Sequence, residues 1–292
     1  MTMTQSQLEI SSLPSKQPCL NMVYGLSRFS GFYFITGLKA RVRTGNRRYW
    51  EVTIRDAFDS AVIYSDAIEP IIHQLHPFSP IQIECVKRKH RDGYYFLADL
   101  ISTVKEVPTN YRHISLIPYS VVVFGEDLCR LLDRINTINF TPLQRFIHCV
   151  IVQSNVMVPF VRNPNGRRYH HNQEGGLLSH CLAVADLISK EFTQGTIEYD
   201  IAITAALLHG LSKTQTLNDD VNRAAIGNLT DHDALILALC AEPLARLSQE
   251  YPYVVNQLRN AWTSASPNTK YGFPAKTRVA RQLKIADTLN AC

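Results

Sequence analysis

Apolar and polar residues alternate in short runs between residues 20 and 106. In one of these runs Trp50, Val52 and Ile54 alternate with more polar neighbours, which is the pattern of a half-buried β-strand. A Gly-Asn pair precedes this run and is typical of a tight hairpin turn. Five such runs predict strands over residues 32–43, 47–55, 60–64, 81–87 and 94–100.

The order of the five runs predicts a small β-barrel. A short segment with a helical pattern ends near Pro77 and precedes the fourth run. Five short strands with a helix before the fourth form the order of an OB-type barrel. We therefore expect an OB-like β-barrel domain over residues 20–106, preceded by a polar leader over residues 1–19 that is expected to be disordered.

The remainder of the chain has the hydrophobic period of α-helices. Leu177, Cys181 and Ile188, for example, recur on one stripe at helical spacing. The segment 107–125 follows neither pattern and is the expected linker. The fold class is therefore α+β with two domains, in which the barrel is followed by an all-α domain over residues 126–292. Helices are predicted over residues 141–156, 176–191, 199–211, 231–248, 251–264 and 275–290.

Composition narrows the class of protein. The chain has a formal net charge of +5, and its hydrophobic content of 46% is that of a folded globular protein. Its 7 cysteines are scattered and never form a Cys-x-x-Cys pair, which argues against a zinc ribbon or a disulfide framework and fits a reducing cytoplasm. No run approaches the roughly 18 uncharged apolar residues of a membrane span, and the polar first residues do not have the pattern of a signal peptide.

Three polar residues are placed at the ends or on the inner face of apolar helices. His180 lies beside the apolar stripe of its helix, and His209 ends the apolar run 201–208. Asp287 is the acidic residue of a largely apolar last helix. A single inward histidine is more often a hydrogen-bonded core residue than a ligand, but imidazole and carboxylate groups that converge from rigid elements are what a hydrolytic divalent metal needs. Together, these residues favour a metal site.

The motifs around these residues resemble the HD superfamily of metal-dependent phosphohydrolases. They read His170-His171-Asn-Gln-Glu-Gly175-Gly176-Leu-Leu-Ser-His180, then Leu208-His209-Gly210-Leu-Ser-Lys213, then a late Ala286-Asp287. Within that superfamily the chain is most similar to bacterial 3′-to-5′ exoribonucleases that join an N-terminal OB fold to an HD domain. Its first motif also resembles the HD domain of one class of conjugative relaxases. The resemblance covers roughly residues 30 to 290 and is strongest over 170–213.

The resemblance implies a ligand set and a cofactor. His180 corresponds to the first metal histidine, His209 to the second and Asp287 to the final aspartate, while His232 matches an additional histidine of two-metal members. Lys213 corresponds to the lysine after the His-Asp pair. Lys213 and His171 are then the expected catalytic residues. The implied cofactor is a divalent metal, either Mn, Fe or Zn.

A phosphate site is implied at the start of the first helix of the motif. Gly175 and Gly176 would allow a phosphate to approach the helix N-terminus, whose partial positive charge favours anions. His170 would lie at the entrance. The sequence therefore predicts that His170, Gly175 and Gly176 contact phosphate.

Gly210 departs from the pattern. In the superfamily an aspartate at this position binds metal and commonly bridges two ions, whereas glycine has no side-chain ligand. The metal affinity of the remaining set should therefore be weaker, and hydrolysis should be impaired. If the site has decayed, Gly210→Asp is expected to restore metal binding. Nearby carboxylates that could substitute for the aspartate are Glu174, Asp186, Asp219 and Asp220.

Two basic clusters lie at strand ends or turns of the predicted barrel, and aromatic residues follow each of them. Basic groups beside aromatic rings are what single-stranded nucleic acid requires, although hairpin tips are also charged for solubility. We expect Trp50 to face the core and Tyr49 to face solvent. The residues predicted to contact nucleic acid are Arg41, Arg43, Arg47, Arg48, Tyr49, Lys87, Arg88, Lys89, Arg91 and Tyr94.

Three hypotheses on function remain open. The first is a protein that binds single-stranded RNA or DNA, or a partner protein, and whose HD-like domain is degenerate. The second is an active metal-dependent 3′-to-5′ exonuclease or phosphodiesterase with a rearranged metal site. The third is an HD-like module that senses a phosphate or nucleotide without cleaving it. Metal content and cleavage of short RNA or DNA distinguish the second from the others.

Overall fold

The protein divides into two units. The computed structural model describes residues 17–42, 45–46, 48–66, 68–91, 93–104, 113–166, 172–217, 225–264 and 273–291. The barrel unit comprises Met1–Ser120 and Val152–Ser154, and the helical unit comprises Val121–Ile151 and Asn155–Cys292. The change from one unit to the other falls between Ser120 and Val121, within the segment 107–125 that the sequence indicated as a linker.

The barrel unit is built on five strands that close in the order β1-β2-β3-β5-β4. β3 and β5 are parallel, and the other neighbouring strands are antiparallel. A 3₁₀ helix at Glu69–Gln74 precedes β4, where the sequence predicted a short helical segment. The prediction of a five-stranded barrel is therefore confirmed. The strands are β1 (Arg28–Val42), β2 (Arg48–Arg55), β3 (Ser60–Ser65), β4 (Pro80–His90) and β5 (Gly93–Thr103).

The barrel core is formed by alternate residues of each strand, as the sequence pattern predicts. Val52, Ile54 and Ile63 are fully buried, and Trp50 packs against the same core from the end of β2. The predicted leader is too long at its C-terminal end. Gln17 accepts a hydrogen bond from the backbone N–H of Phe32 and donates one to its carbonyl, so this residue is part of the barrel edge.

The helical unit follows the predicted order of helices, with one predicted helix divided in two. The predicted helix 231–248 is divided at Cys240. Pro243 explains this break, because proline has no N–H for an interior helical bond but is tolerated in a first turn. The helices are α1 (Gly125–Asn136), α2 (Thr141–Ile151), α3 (Met157–Arg162), α4 (Gly176–Ile188), α5 (Ile197–Leu208), α6 (Lys213–Thr216), α7 (Ala225–Leu229), α8 (His232–Leu239), α9 (Ala241–Glu250), α10 (Pro252–Thr263) and α11 (Arg278–Ala291).

The helix α5 lies at the centre of the helical unit. It is apolar around almost its whole circumference, and its residues from Tyr199 to Leu208 are all buried. The helices α4 and α11 each pack against α5 and against each other. These three helices therefore fix the positions of any side chain at their mutual contact. No helix in the part of the chain that the structure describes is long and apolar enough to cross a membrane.

Candidate functional site

Three of the predicted metal ligands converge in the helical unit. The Nε2 atom of His180 lies 3.0 Å from Nε2 of His209 and 3.1 Å from Oδ1 of Asp287. The Nε2 atom of His209 lies 3.4 Å from the same carboxylate oxygen. His180 comes from α4, His209 caps α5 and Asp287 comes from α11. These three residues are named the metal triad below.

The geometry and the donor set of the metal triad fit a divalent metal. Metal–nitrogen and metal–oxygen bonds of about 2.0–2.2 Å hold neighbouring ligand atoms roughly 3 Å apart, as the three donor atoms are here. Among the described residues, the triad is the group of His, Cys, Asp and Glu side chains that meets this requirement. The two histidines are buried, whereas the Asp287 side chain is 45% exposed. Solvent can therefore reach the carboxylate side of the triad.

Second contacts orient both imidazole rings toward the centre of the triad. The Nδ1 atom of His209 lies 2.7 Å from the carbonyl oxygen of Ala206, an acceptor that holds the proton on Nδ1 and leaves Nε2 free to bind metal. The side-chain amide of Asn290 lies 2.7 Å from Nδ1 of His180. As placed, the Nδ2–H of Asn290 donates to Nδ1, and the proton of a neutral His180 then lies on Nε2. Metal binding at Nε2 would require the amide to turn over, so that its oxygen accepts a proton on Nδ1. Asn290, three residues after Asp287 on α11, was not predicted from sequence, although this spacing places both residues on one helix face.

The protonation of the metal triad follows from burial and from the contacts within it. Burial lowers the pKa of His180 to about 4, although its hydrogen bond to Asp287 acts in the opposite direction. Burial also acts to lower the pKa of His209, but the neighbouring Cys181 and Asp287 outweigh it and raise that pKa. Burial acts to raise the pKa of Asp287, but the two histidines lower it below its ordinary value. His180 is therefore neutral at pH 7, as a metal ligand must be, whereas His209 carries a proton that a metal ion would have to displace from Nε2.

Lys213 lies near the metal triad, and its side chain contacts a polar residue of the loop before α4. Its Nζ atom donates a hydrogen bond to Oδ1 of Asn165 at 2.6 Å. Burial lowers the pKa of Lys213, and the nearby Cys181 and Asp287 partly offset this effect. The neighbouring Asn163 donates to the carbonyl oxygen of Lys213 at 3.2 Å and holds the short helix α6 in place. Asn165 and Asn163 were not predicted, because loop contacts of this kind leave no periodic signal in the sequence.

The space that a side chain at position 210 would occupy is already filled. A Cβ atom on Gly210 would lie 2.8 Å from Cδ1 of Leu177 and 3.0 Å from Sγ of Cys181. Both side chains are fully buried. Leu177 and Cys181 of α4 therefore pack directly against the turn after α5, at the position where the sequence resemblance predicts an aspartate. Restoring the carboxylate would require Leu177 and Cys181 to move.

The candidate substitutes for the missing aspartate are engaged elsewhere or lie outside the described residues. Glu174 forms an ion pair with Arg162. Asp186 pairs with Arg130 at 2.9 Å and with Arg134 at 2.6 Å. Neither carboxylate belongs to the metal triad. Asp219 and Asp220 lie outside the described residues.

His232 does not join the metal triad. It begins α8, its side chain is 47% exposed, and its Nδ1 atom lies 3.5 Å from Oδ1 of Asp233. Its position in a Thr-Asp-His-Asp motif is explained locally, because Asp231 caps the N-terminus of α8. The structure therefore does not bring His232 together with the three converging ligands, and its role as a fourth ligand stays a prediction.

The two glycines at the start of α4 serve packing. Gly175 has a positive φ of 81°, and a Cβ atom there would lie 3.0 Å from Phe124 and Val123. The N–H of Gly175 donates to the carbonyl oxygen of Arg162 at 2.6 Å, and that of Gly176 to the carbonyl of Gln173 at 3.0 Å. These donors are occupied and both glycines are buried, so the predicted phosphate contacts of Gly175 and Gly176 are not supported by the geometry.

The first basic cluster of the barrel unit is partly neutralised across strands. Arg41 donates to Oε2 of Glu51 through Nε at 3.2 Å and Nη2 at 3.0 Å, and Lys39 lies 3.9 Å from the same carboxylate. No acidic residue lies between these basic residues in the sequence. Pairing of β1 with β2 nevertheless places the acidic Glu51 beside them. Arg48 is exposed at the start of β2, and Tyr49 is half-buried.

The second basic cluster is largely exposed, and two of its side chains have nearby partners: Arg88 lies 4.0 Å from Asp99, and Lys87 contacts a ring and a carbonyl. Lys87 lies 4.9 Å above the ring of Tyr94 and donates to the carbonyl oxygen of Tyr24 at 2.5 Å. Arg88, Lys89 and Arg91 are exposed. Of the remaining predicted contact residues, His170, His171, Arg43 and Arg47 lie outside the described residues.

Comparison with known proteins adds no relative. No protein-family model matches the chain, and no curated protein matches it. The resemblance to HD phosphohydrolases therefore stays a prediction from the sequence motifs over residues 170–213 and from Asp287.

Proposed function

We propose that the chain is a nucleic-acid-binding protein in which an OB-like barrel is joined to an HD-like helical domain that binds one divalent metal ion and does not use it for efficient hydrolysis. One observation carries this proposal. The metal triad is assembled with its supporting contacts, while the place of the bridging aspartate at Gly210 is closed by Leu177 and Cys181.

The metal triad supplies the ligands for a single ion. His180, His209 and Asp287 would hold it, and Ala206 and Asn290 would orient the two rings. A bound divalent ion would supply a positive charge that attracts a phosphate group. Two metal ions about 3.5–4 Å apart share bridging oxygen ligands in two-metal hydrolases, and no described carboxylate other than Asp287 reaches this centre.

The barrel unit supplies the charge for nucleic-acid binding. Arg48, Arg88, Lys89 and Arg91 are exposed on strands and on a hairpin turn. Exposed cations of this kind bind phosphates, release counterions and make affinity depend on salt. Half-buried tyrosine rings on neighbouring strands provide the complementary contacts to bases.

The test compares metal content, binding and cleavage in one preparation. Purified protein is loaded with Mn²⁺, Fe²⁺ or Zn²⁺, freed of excess metal and analysed for metal per chain. Fluorescein-labelled 12-nucleotide oligothymidine and oligouridine then report binding by anisotropy and cleavage by gel. The proposal expects about one ion per chain, salt-sensitive binding and no cleavage. Protein without bound metal, or without affinity for either oligonucleotide, would contradict it.

A second candidate function is favoured by the type of ligand set. Two imidazoles and one carboxylate with an open, solvent-accessible side form the set used by several single-metal hydrolases. Asp287 is 45% exposed, so substrate can reach this side. This candidate predicts cleavage of the labelled oligonucleotides that is lost in Asp287→Asn. Cleavage that survives Asp287→Asn would come from a contaminant and would support neither candidate.

A further inference from the structure

Three tyrosines form a row across the outer face of the barrel. The rings of Tyr49 and Tyr64 lie 5.9 Å apart between centroids, and those of Tyr64 and Tyr95 lie 5.7 Å apart. They come from β2, β3 and β5, which are neighbours in the barrel. All three are half-buried, whereas the adjacent residues Ile63 and Phe96 are buried in the core. Alternation along the strands therefore places the three rings outside, and they are named the tyrosine row below.

Strand pairing adds one arginine at each end of the tyrosine row. Arg41 of β1 is the cross-strand partner of Tyr49, and Arg88 of β4 is the cross-strand partner of Tyr95. Directly paired residues share one face of a sheet. The outer surface thus reads arginine, three tyrosines, arginine across the five strands. Residues that are far apart in the sequence produce this order through the register of the barrel.

Each end of the row keeps an excess of positive charge. Glu51 is shared between Arg41 at 3.0 Å and Lys39 at 3.9 Å. Asp99 is shared between Arg28 at 3.6 Å and Arg88 at 4.0 Å. Two cations therefore surround one carboxylate at both ends. Pairs as exposed as these are weak in water, so a phosphate can compete for the arginines.

We infer that the tyrosine row is a stacking site for single-stranded nucleic acid, which crosses the strands with bases stacked on the ring faces that remain open and with a phosphate near each arginine. Adjacent rings meet at interplanar angles of 50° and 81°, so the bases contact individual rings and do not form one continuous stack with them. The inference rests on the proposed nucleic-acid binding and specifies where and how it occurs. Every base has a π-face, so stacking on aromatic rings binds single strands with little sequence preference. A duplex keeps its bases stacked within the helix and cannot offer them to the rings.

The geometry of the tyrosine row indicates which of two adjacent tyrosines, Tyr94 or Tyr95, contacts bases. Tyr94 is exposed and was the residue predicted from sequence, but it lies on the strand face opposite that of Tyr95, and Lys87 covers one side of its ring. Tyr95 has its cross-strand arginine and its neighbouring ring in Tyr64. We expect Tyr95 to contact bases and Tyr94 to contribute little.

The first experiment measures the affinity of the full chain for labelled 12-nucleotide oligothymidine and oligouridine. Tyr64→Leu and Tyr95→Leu should each weaken binding roughly 5- to 20-fold, since one stacked base is lost. Tyr64→Phe keeps the ring and should bind like the wild type. Tyr94→Leu is the matched control on the same strand and should also bind like the wild type. Circular dichroism and thermal melting verify that the variants are folded.

The second experiment leaves the tyrosine rings in place and removes bases from the oligonucleotide. An oligothymidine with three consecutive abasic sites at its centre keeps the phosphates and loses the stacking groups. If the rings stack on bases, the abasic oligonucleotide should bind the wild type more weakly, and Tyr64→Leu should cost less on it than on intact oligothymidine. The two losses should therefore be less than additive.

The outcomes separate the inference from the function on which it rests. Binding by the wild type that is weakened in Tyr64→Leu and Tyr95→Leu, but not in Tyr94→Leu, supports both. Binding by the wild type that all the folded leucine variants retain overturns the tyrosine row and leaves nucleic-acid binding standing. Absence of binding by the folded wild type to both oligonucleotides overturns both. Fully additive losses in the abasic experiment would also overturn the stacking contact.

Discussion

The metal triad and the tyrosine row are assembled by different physical means. His180 and Asp287 are 107 residues apart. His180 is brought to the centre by a mostly buried helix, and Asp287 by an amphipathic helix that buries one face. The tyrosines are placed by strand register, in which each residue has fixed neighbours on the adjacent strands. The comparison teaches that packed helices define a site of few, exact donors, whereas a sheet surface repeats similar groups at regular spacing.

The two regions should therefore respond differently to substitution. A metal centre with three protein ligands loses a third of its ligands in one change, and the remaining polar groups stay buried. A stacking surface loses one contact of several, and its exposed ion pairs contribute little each. Perturbations of the triad should be large and specific to metal, and those of the barrel should be small, graded and dependent on salt.

The largest expected effect is the loss of metal in His209→Ala. Without the Nε2 donor, His180 and Asp287 are too few to hold an ion firmly, so affinity for the metal should fall by at least about 100-fold. Elemental analysis after gel filtration, together with calorimetric titration of the metal-free protein, measures this change.

His232→Ala is the matched control for that change. His232 is exposed and lies outside the metal triad, so the variant should retain about one ion per chain. If His209→Ala keeps its metal while His232→Ala loses it, the ligand set described above is wrong.

A smaller loss of metal is expected in Asn290→Ala. The variant keeps all three ligands but removes the side chain that contacts Nδ1 of His180 at 2.7 Å. Outer contacts of this kind contribute about 10- to 100-fold in metal affinity. Asn290→Asp provides the rescue, because its carboxylate oxygen accepts the proton on Nδ1. Equal affinities in the two variants would show that Asn290 does not orient the ring.

Gly210→Asp should destabilise the helical unit and should not raise the metal content. The new Cβ atom would lie 2.8 Å from Leu177 and 3.0 Å from Cys181, and overpacking of a buried site costs about 1–3 kcal/mol. Thermal melting and metal analysis, with Gly210→Ala as the steric control, measure both effects. This expectation replaces the gain of metal binding that the sequence suggested. A stable Gly210→Asp protein with two ions per chain would contradict it.

The sequence predicted the metal triad because each of its members is a polar residue within an apolar helical run. A polar group buried on such a helix is costly without a partner, so the two buried histidines each indicate that a partner lies nearby, and the half-exposed Asp287 is that partner. The strands were predicted for a similar reason, through their alternation. Asn290 and Asn165 escaped prediction, because one is an ordinary polar residue on a half-exposed helix and the other lies in a loop.

The tyrosine row could not be predicted, because its order depends on strand register. Tyr64 and Tyr95 are conspicuous only when β3 and β5 are placed side by side in parallel, and a crossover of this kind leaves no local signal. Strand register also could not be read from the sequence for Arg41 and Glu51. The first basic cluster contains no acid along the chain, but Glu51 on the neighbouring strand pairs with Arg41. His232 is the opposite case, because its Thr-Asp-His-Asp motif includes the N-terminal cap of α8 and the structure does not bring His232 to the triad.

The smallest expected effect is a gain of nucleic-acid affinity in Glu51→Gln. Glu51 competes with phosphate for Arg41 and Lys39, and its removal frees cations that an exposed pair holds by less than about 1 kcal/mol. Affinity for oligothymidine should therefore increase about 2- to 5-fold at low salt. The slope of log affinity against log salt should become steeper by about 0.7 for each cation newly paired with phosphate.

Glu198→Gln, an exposed position in the helical unit, gives the same change in net charge and should leave both quantities unaltered. Equal gains in the two variants would reduce the effect to overall charge, and weaker binding by Glu51→Gln would mean that its ion pair positions Arg41 for phosphate and does not compete with it.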